Sequence, residues 1–336
     1  IILEIFYFNI LISKKFSKKL FFKDAFIVLV AAYFIMVLFW PETHSNIFLM
    51  PIKLAIEGLS TGFGPPFILY DGEIFLPNKL PSSYILVNLL YKMPEFIILS
   101  FIVFICFFFK IGSYFKNRFV GFNFKIFTVF IILIFPNILL LVNPWGLYDG
   151  IRLFLYLIPF ISIVPAILFF FLYKMIDKNL YKITLSCFIF LQLFFLYNFF
   201  ALSPYQYVYL NLLAGKYSEN SKKFENDYWG VSTKELISKI SRYDKTLSNS
   251  EIKIALCGLT DTHVKKYLKK YKNLKFKLVS NDEDFDFIIM NNRISWDLKN
   301  AEIDIEKNQT CFQKFPGEDL INVERRGLIL SRMSRI

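Results

Sequence analysis

The sequence predicts a polytopic α-helical membrane bundle followed by a small soluble α/β domain. Three observations lead there. Hydrophobic residues make up 55% of the 336, with 42 Phe among them, and the mean hydropathy is +0.46. That is more apolar surface than a soluble domain of this length carries. The apolar residues fall in long runs as far as Leu202. From Val231 onward the pattern changes to short strand-like and helix-like periods broken by charge.

The runs are 1–12, 25–40, 96–109, 126–142, 153–173 and 183–202, which makes about six helices. A bilayer core asks for about 20 apolar residues, so the shorter runs need aromatic flanks such as Phe21 and Phe22. Pro136, Pro159 and Pro165 fall inside runs and read as packing kinks. The chain opens at Ile1 within an apolar run, with no charged leader before it. The N-terminal part of a longer protein is therefore expected to precede it.

The net charge of +12 does not point to nucleic acid, because much of it sits in the short loops between runs. Segments 13–24, 110–125 and 174–182 hold five, four and three Lys or Arg. The alternate segments hold three across 41–93 and only Arg152 in 143–152. The positive-inside rule then puts the first set in the cytoplasm and places 41–93, 143–152 and everything after 202 outside. The expected location is a multi-pass inner-membrane protein whose C-terminal domain is periplasmic, with the lipid bilayer as its first partner.

Three parts follow: a membrane domain 1–202, an aromatic junction 203–230 and an extracytoplasmic α/β domain 231–336. In the loop 41–93, residues 47–59 read as an amphipathic helix on the membrane surface. A turn is expected at Gly62 to Pro66, then a hairpin with Asp71-Gly72 at its tip. A short helix leads into Pro94. The junction is dense in Tyr and Trp, which suit a lipid–water boundary and also suit a site. In the tail, Ser232 and Glu235 read as a capping pair. A strand–helix–strand–strand order implies a partly parallel sheet, and a last hairpin turns at Arg326-Gly327. No Gly-rich fingerprint follows a strand, so no nucleotide cofactor is expected.

YDGIR at 148–152, YQYVYLN at 205–211 and DYWG at 227–230 resemble motifs of bacterial GT-C glycosyltransferases of the protein O-mannosyltransferase-like kind. Trp40-Pro41, Gly72, Leu80-Pro81, Tyr84 and Lys92-Met93-Pro94 fit the same pattern upstream. Leu153 stands where the family often has His, and Leu210 where it has Phe. The resemblance implies sugar transfer from a polyprenyl-phosphate donor to an acceptor glycan, lipid or protein at the outer membrane face, with no cofactor. It implies substrate contacts from Tyr148, Asp149, Arg152, Tyr205, Gln206, Tyr209, Asn211, Asp227, Tyr228 and Trp229. The family's catalytic acidic residue lies in a first outside loop that this chain does not contain. The catalytic residue is thus left unassigned, and the segment alone is expected to be inactive.

Each role has a plainer alternative. Arg152 either forks onto a lipid phosphate or snorkels to the interface. Asp149 holds Arg152, caps a helix or faces the acceptor. Asp71, Glu73 and Glu57 read as solvated loop charges. His44 and His263 are isolated, so no metal site is expected. Cys106 and Cys187 read as small apolar residues of the runs, whereas Cys257 and Cys311 share the outside domain and are expected to lie close in space. Competing functions are a transporter or flippase of a lipid-linked solute, and a non-catalytic membrane scaffold. Paired half repeats and midplane charges would mark the transporter, and the runs show neither.

Overall fold

The computed structural model describes residues 16–60, 65–142, 146–243, 252–271, 275–295 and 309–336. The expected first run, 1–12, and the turn glycines Gly62 and Gly64 lie outside them. In chain order the helices are α1 (Lys18–Phe39), α2 (Met50–Ser60), α3 (Tyr84–Lys92), α4 (Glu95–Cys106), α5 (Phe108–Lys116), α6 (Phe122–Val142), α7 (Ile158–Met175), α8 (Lys178–Ala201), α9 (Tyr217–Lys223), α10 (Thr233–Tyr243), α11 (Asp261–Leu268) and α12 (Cys311–Lys314). The strands are β1 (Ile68–Tyr70), β2 (Glu73–Phe75), β3 (Ile252–Cys257), β4 (Phe276–Leu278), β5 (Phe287–Asn291), β6 (Glu318–Arg325) and β7 (Leu328–Arg335).

Among the described residues, four helices are long and apolar enough to cross a membrane: α1, α6, α7 with the 3-10 turn Arg152–Leu157 before it, and α8. A fifth arises only if α3 and α4, bent by 113°, count as one span. The run 96–109 is therefore not one crossing helix. Helix α4 ends at Cys106, and its 12 residues reach only about 18 Å, short of a bilayer core of about 30 Å. Apolar composition does not say where a helical hydrogen-bond ladder stops, which is why the run read as continuous.

The chain divides into two compact units, Ile1–Phe63 with Phe108–Ile131, and Gly64–Phe107 with Ile132–Ile336. In the first, Ser17 caps α1 by accepting from Leu20 N. No residue of α1 is buried, although Phe26, Leu29, Phe34 and Leu38 are all on it. A helix that is apolar all round with none of its residues buried suits a lipid surrounding. Helix α2 covers most of the stretch read as amphipathic.

In the second unit, α4 packs against α7 and α8. Asp177 caps α8 through Asn179 N at 2.9 Å. Pro136 and Pro165 lie inside α6 and α7. Pro159 does not: it stands in the first turn of α7, where a missing N–H costs no helical bond. The expected hairpin is β1–β2, antiparallel, with Asp71 and Gly72 both at positive φ. The tail forms a five-stranded sheet in the order β4-β3-β5-β7-β6. β3 is parallel to β4 and β5, whereas β7 is antiparallel to β5 and β6, so the sheet is partly parallel as expected.

Alternation along β3 sorts its side chains to two faces. Ile252, Ile254 and Leu256 join α10 and α11 in the larger core. Ala255 and Cys257 face the other way, with Ile288, Met290 and Cys311. Cys257 and Cys311 form a disulfide there, with Cα atoms 5.7 Å apart. Leu202, Tyr205, Val208 and Tyr209 belong to the larger core as well. The first residues of the stretch read as a junction thus share the core of the α/β domain.

Candidate functional site

The site is built around a bend at Asp149-Gly150. Both residues have positive φ, 57° and 66°. Asp tolerates that conformation and Gly adopts it freely. A Cβ at Gly150 would also crowd Lys92 Nζ at 2.7 Å and Asn88 Oδ1 at 3.1 Å. Its N–H donates to the hydroxyl of buried Tyr84 at 2.9 Å. This bend turns Arg152 back onto Asp149, with Nη1 3.0 Å from Oδ2. The Asp149 side chain is only 8% exposed, against 42% for Arg152. Burial pushes the Asp149 carboxyl above its usual range, while Arg293, Arg152 and Lys92 oppose the shift.

DYWG meets this bend from the other side. The Arg152 guanidinium lies over the Trp229 ring, 4.4 Å from its centroid, a cation–π geometry. Asp227 shapes the turn that presents Trp229. Its carboxylate accepts from Val231 N at 2.9 Å, Ser232 N at 3.0 Å, the Ser232 hydroxyl and the Tyr207 hydroxyl. Asn291, at the end of β5, donates to the Asp227 carbonyl at 2.9 Å. The expected Ser232–Glu235 capping pair is not what forms. Ser232 Oγ serves Asp227 and Ser331, and Glu235 takes Arg325 at 2.6 Å and the Tyr205 hydroxyl at 2.8 Å. Tertiary partners outcompete the local cap at both residues.

Two further charges complete the cluster. Arg293 follows β5, donates to the Tyr228 carbonyl at 3.0 Å and approaches Glu225 at 3.9 Å. Glu225 is buried, and its carboxyl is pushed up to about 7 by that burial, against the pull of Arg293. Lys92, Arg152 and Arg293 thus share one region with Asp149 and Glu225.

Below the cluster is an apolar cavity of about 570 Å³. Phe96 and Ile97 of α4, Ile158 and Ile161 of α7, and Phe195 and Phe199 of α8 supply its wall. All three helices contribute the end nearest the Asp149 bend. Lys92, Asp149, Arg152, Gln206, Tyr209 and Tyr228 give it polar groups. The volume lies within the range of about 300–1,000 Å³ typical of small-molecule sites.

The sequence-read residues divide accordingly. Asp149, Arg152, Gln206, Tyr209 and Tyr228 line this cavity, and Trp229 stacks on Arg152 at its edge. Tyr209 also donates to Glu95 at 3.1 Å. Tyr205 lies in the α/β core under Arg325. Asn211 ties the segment to the α3–α4 corner by donating to the Met93 carbonyl at 2.8 Å and to that of Leu90. Asp227 is 1% exposed and holds backbone. Tyr148 is half-buried and lines neither this cavity nor the one next to Trp229. Sequence reading did not single out Glu225 or Arg293. Arg293 carried a signal, since it stands just past the carboxyl end of a parallel strand, where open sheets place their ligands. No family model, no curated protein and no solved structure matches this chain.

Proposed function

We propose that this chain is a membrane glycosyltransferase, or the C-terminal part of one, that moves a sugar from a polyprenyl-phosphate donor to an acceptor at the outer membrane face. The observation that carries the reading is the apolar cavity between α4, α7 and α8, with Arg152 and Lys92 among its polar groups. An isoprenoid chain needs an apolar slot, and a phosphate needs cations at its mouth. In the transfer, the bond between the sugar's anomeric carbon and the phosphate breaks, and a bond to the acceptor oxygen forms. The acceptor proton passes to a carboxylate and the polyprenyl phosphate departs. Arg152 and Lys92 would stabilise the charge gathering on that phosphate.

The lysine-rich segments on one set of loops support a C-terminal domain outside the cytoplasm. The Cys257–Cys311 disulfide supports an oxidising compartment for it.

The test uses purified protein in lipid nanodiscs and undecaprenyl phosphate as probe, followed by Trp fluorescence. Arg152→Ala is expected to weaken binding by about five- to thirtyfold, or 1–2 kcal/mol, because the partly exposed guanidinium is screened by water. Arg152→Lys should fall between, since a point charge replaces a fork. Unchanged binding by a folded Arg152→Ala protein overturns the assignment.

A further inference from the structure

A second cavity, of about 300 Å³, lies on the other side of Arg152. Its wall joins Asp149, Arg152 and Trp229 to Thr233, Arg293 and the Gly258–His263 stretch of the α/β domain. The position is telling. β3 is flanked by two parallel strands, β4 and β5, which the chain reaches in succession on opposite sides. The carboxyl end of β3 is therefore a topological switch point, where open α/β sheets leave a crevice for a ligand. Gly258 stands there at φ 73°, and a Cβ on it would collide with Asn291 Oδ1. Thr260 precedes α11 without capping it by its side chain.

Two oxygens in the wall point to a ligand. Thr233 is 1% exposed, and its Oγ1 finds no hydrogen-bond partner among the described residues. Asp149 Oδ1 is buried and unpartnered in the same way, while Oδ2 holds Arg152. A buried polar atom left unpaired costs about 1–3 kcal/mol, which a ligand recovers by pairing with it. The surrounding charges set the ligand's class. Arg152 is engaged by Asp149, and Arg293 by Glu225 and the Tyr228 carbonyl. The unpaired oxygen of a carboxylate lies in the wall, so a ligand that pairs with it must bring a hydrogen-bond donor, which a fully ionised anion lacks. A neutral hydroxylated group fits: Thr233 can donate, Asp149 Oδ1 can only accept, and Trp229 supplies an aromatic surface.

We propose that this cavity binds a neutral, sugar-sized hydroxylated group, with Thr233 Oγ1 and Asp149 Oδ1 pairing with its hydroxyls. Its role as the acceptor side of a transfer rests on the glycosyltransferase reading, but its binding is measured without turnover. Saturation-transfer NMR on the full chain in nanodiscs, free of sugar detergents, would use methyl glucoside, methyl mannoside and methyl galactoside, with inorganic phosphate as the anionic probe. At least one glycoside should give saturation transfer. Thr233→Val, which keeps the shape and removes the hydroxyl, should weaken it about tenfold, the worth of one good hydrogen bond. Leu259→Trp, which fills the cavity, should abolish it. Neither change should alter binding of undecaprenyl phosphate. If Thr233→Val does not fold, loss of the glycoside signal in His263→Ala, at an exposed residue of the rim, serves instead. No glycoside binding, binding of phosphate alone, or wild-type binding by the folded variants overturns the proposal. Glycoside binding without undecaprenyl phosphate binding would leave this site standing and sink the donor reading.

Discussion

Asp227 Oδ2 accepts the backbone N–H of Ser232 at 3.0 Å and the Ser232 hydroxyl as well. That pairing turns the chain from DYWG into α10 and aims Trp229 outward. Trp229 is 55% exposed two residues after a carboxylate that is 1% exposed. The motif therefore works in two halves. Its acid holds the turn, and its aromatic part meets Arg152.

Removing the acid should cost stability first. Asp227→Ala leaves the Ser232 and Tyr207 hydroxyls and two backbone N–H groups without their charged acceptor. The expected loss is about 3 kcal/mol or more. Thermal unfolding in detergent, compared with Asp227→Asn as the milder change, measures it. A melting curve for Asp227→Ala that matches wild type would show that the turn holds without its acid.

The disulfide makes a separate prediction on the opposite face of the sheet. Cys257 and Cys311 are 54 residues apart in sequence and join the end of β3 to the start of α12. Closing a loop of that length contributes about 2–4 kcal/mol. Cys257→Ala/Cys311→Ala should lose that amount, and wild type in strong reductant should approach the double variant. Denaturant titration of the two samples provides the comparison. Equal midpoints for oxidised wild type and the double variant would remove the disulfide from the stability account.

What the sequence disclosed follows physical range. Local patterns were legible: α8 from its apolar run, both hairpins from Asp71-Gly72 and Arg326-Gly327, and the strand order that makes β3, β4 and β5 parallel. The pairing of Asp149 with Arg152, three residues apart, was one of three roles the sequence left open for Asp149. Contacts across the chain were not legible. Tyr205 and Tyr209 stand in one motif and share one core, yet the Tyr205 hydroxyl goes to Glu235 while that of Tyr209 goes to Glu95 and Tyr209 also lines the cavity. Both are Tyr of one segment, and only tertiary packing separates them. Glu225 and Arg293 are 68 residues apart and reach one another only once β5 has been added beside β3.

Glu225 gives the fold a pH dependence of known sign. Its carboxyl is held at about 7 by burial in the folded protein, against 4.5 when free. Between those values the folded state binds more protons than the unfolded state. Stability therefore falls as pH rises from about 4.5 to about 7 and levels off above. The whole shift is worth about 3 kcal/mol at most. Asp149 is raised as well, so it adds a slope of the same sign. Glu225→Gln keeps a neutral group beside Ile294 N and Arg293 and removes the larger contribution. The wild-type protein should lose stability between pH 5 and pH 7.5 and change little above that range, and the Gln variant should show a clearly flatter profile. Urea midpoints taken at half-unit pH intervals decide the matter. Parallel profiles for the two proteins would mean that Glu225 keeps its charge in the fold, and that Arg293 outweighs burial at this position.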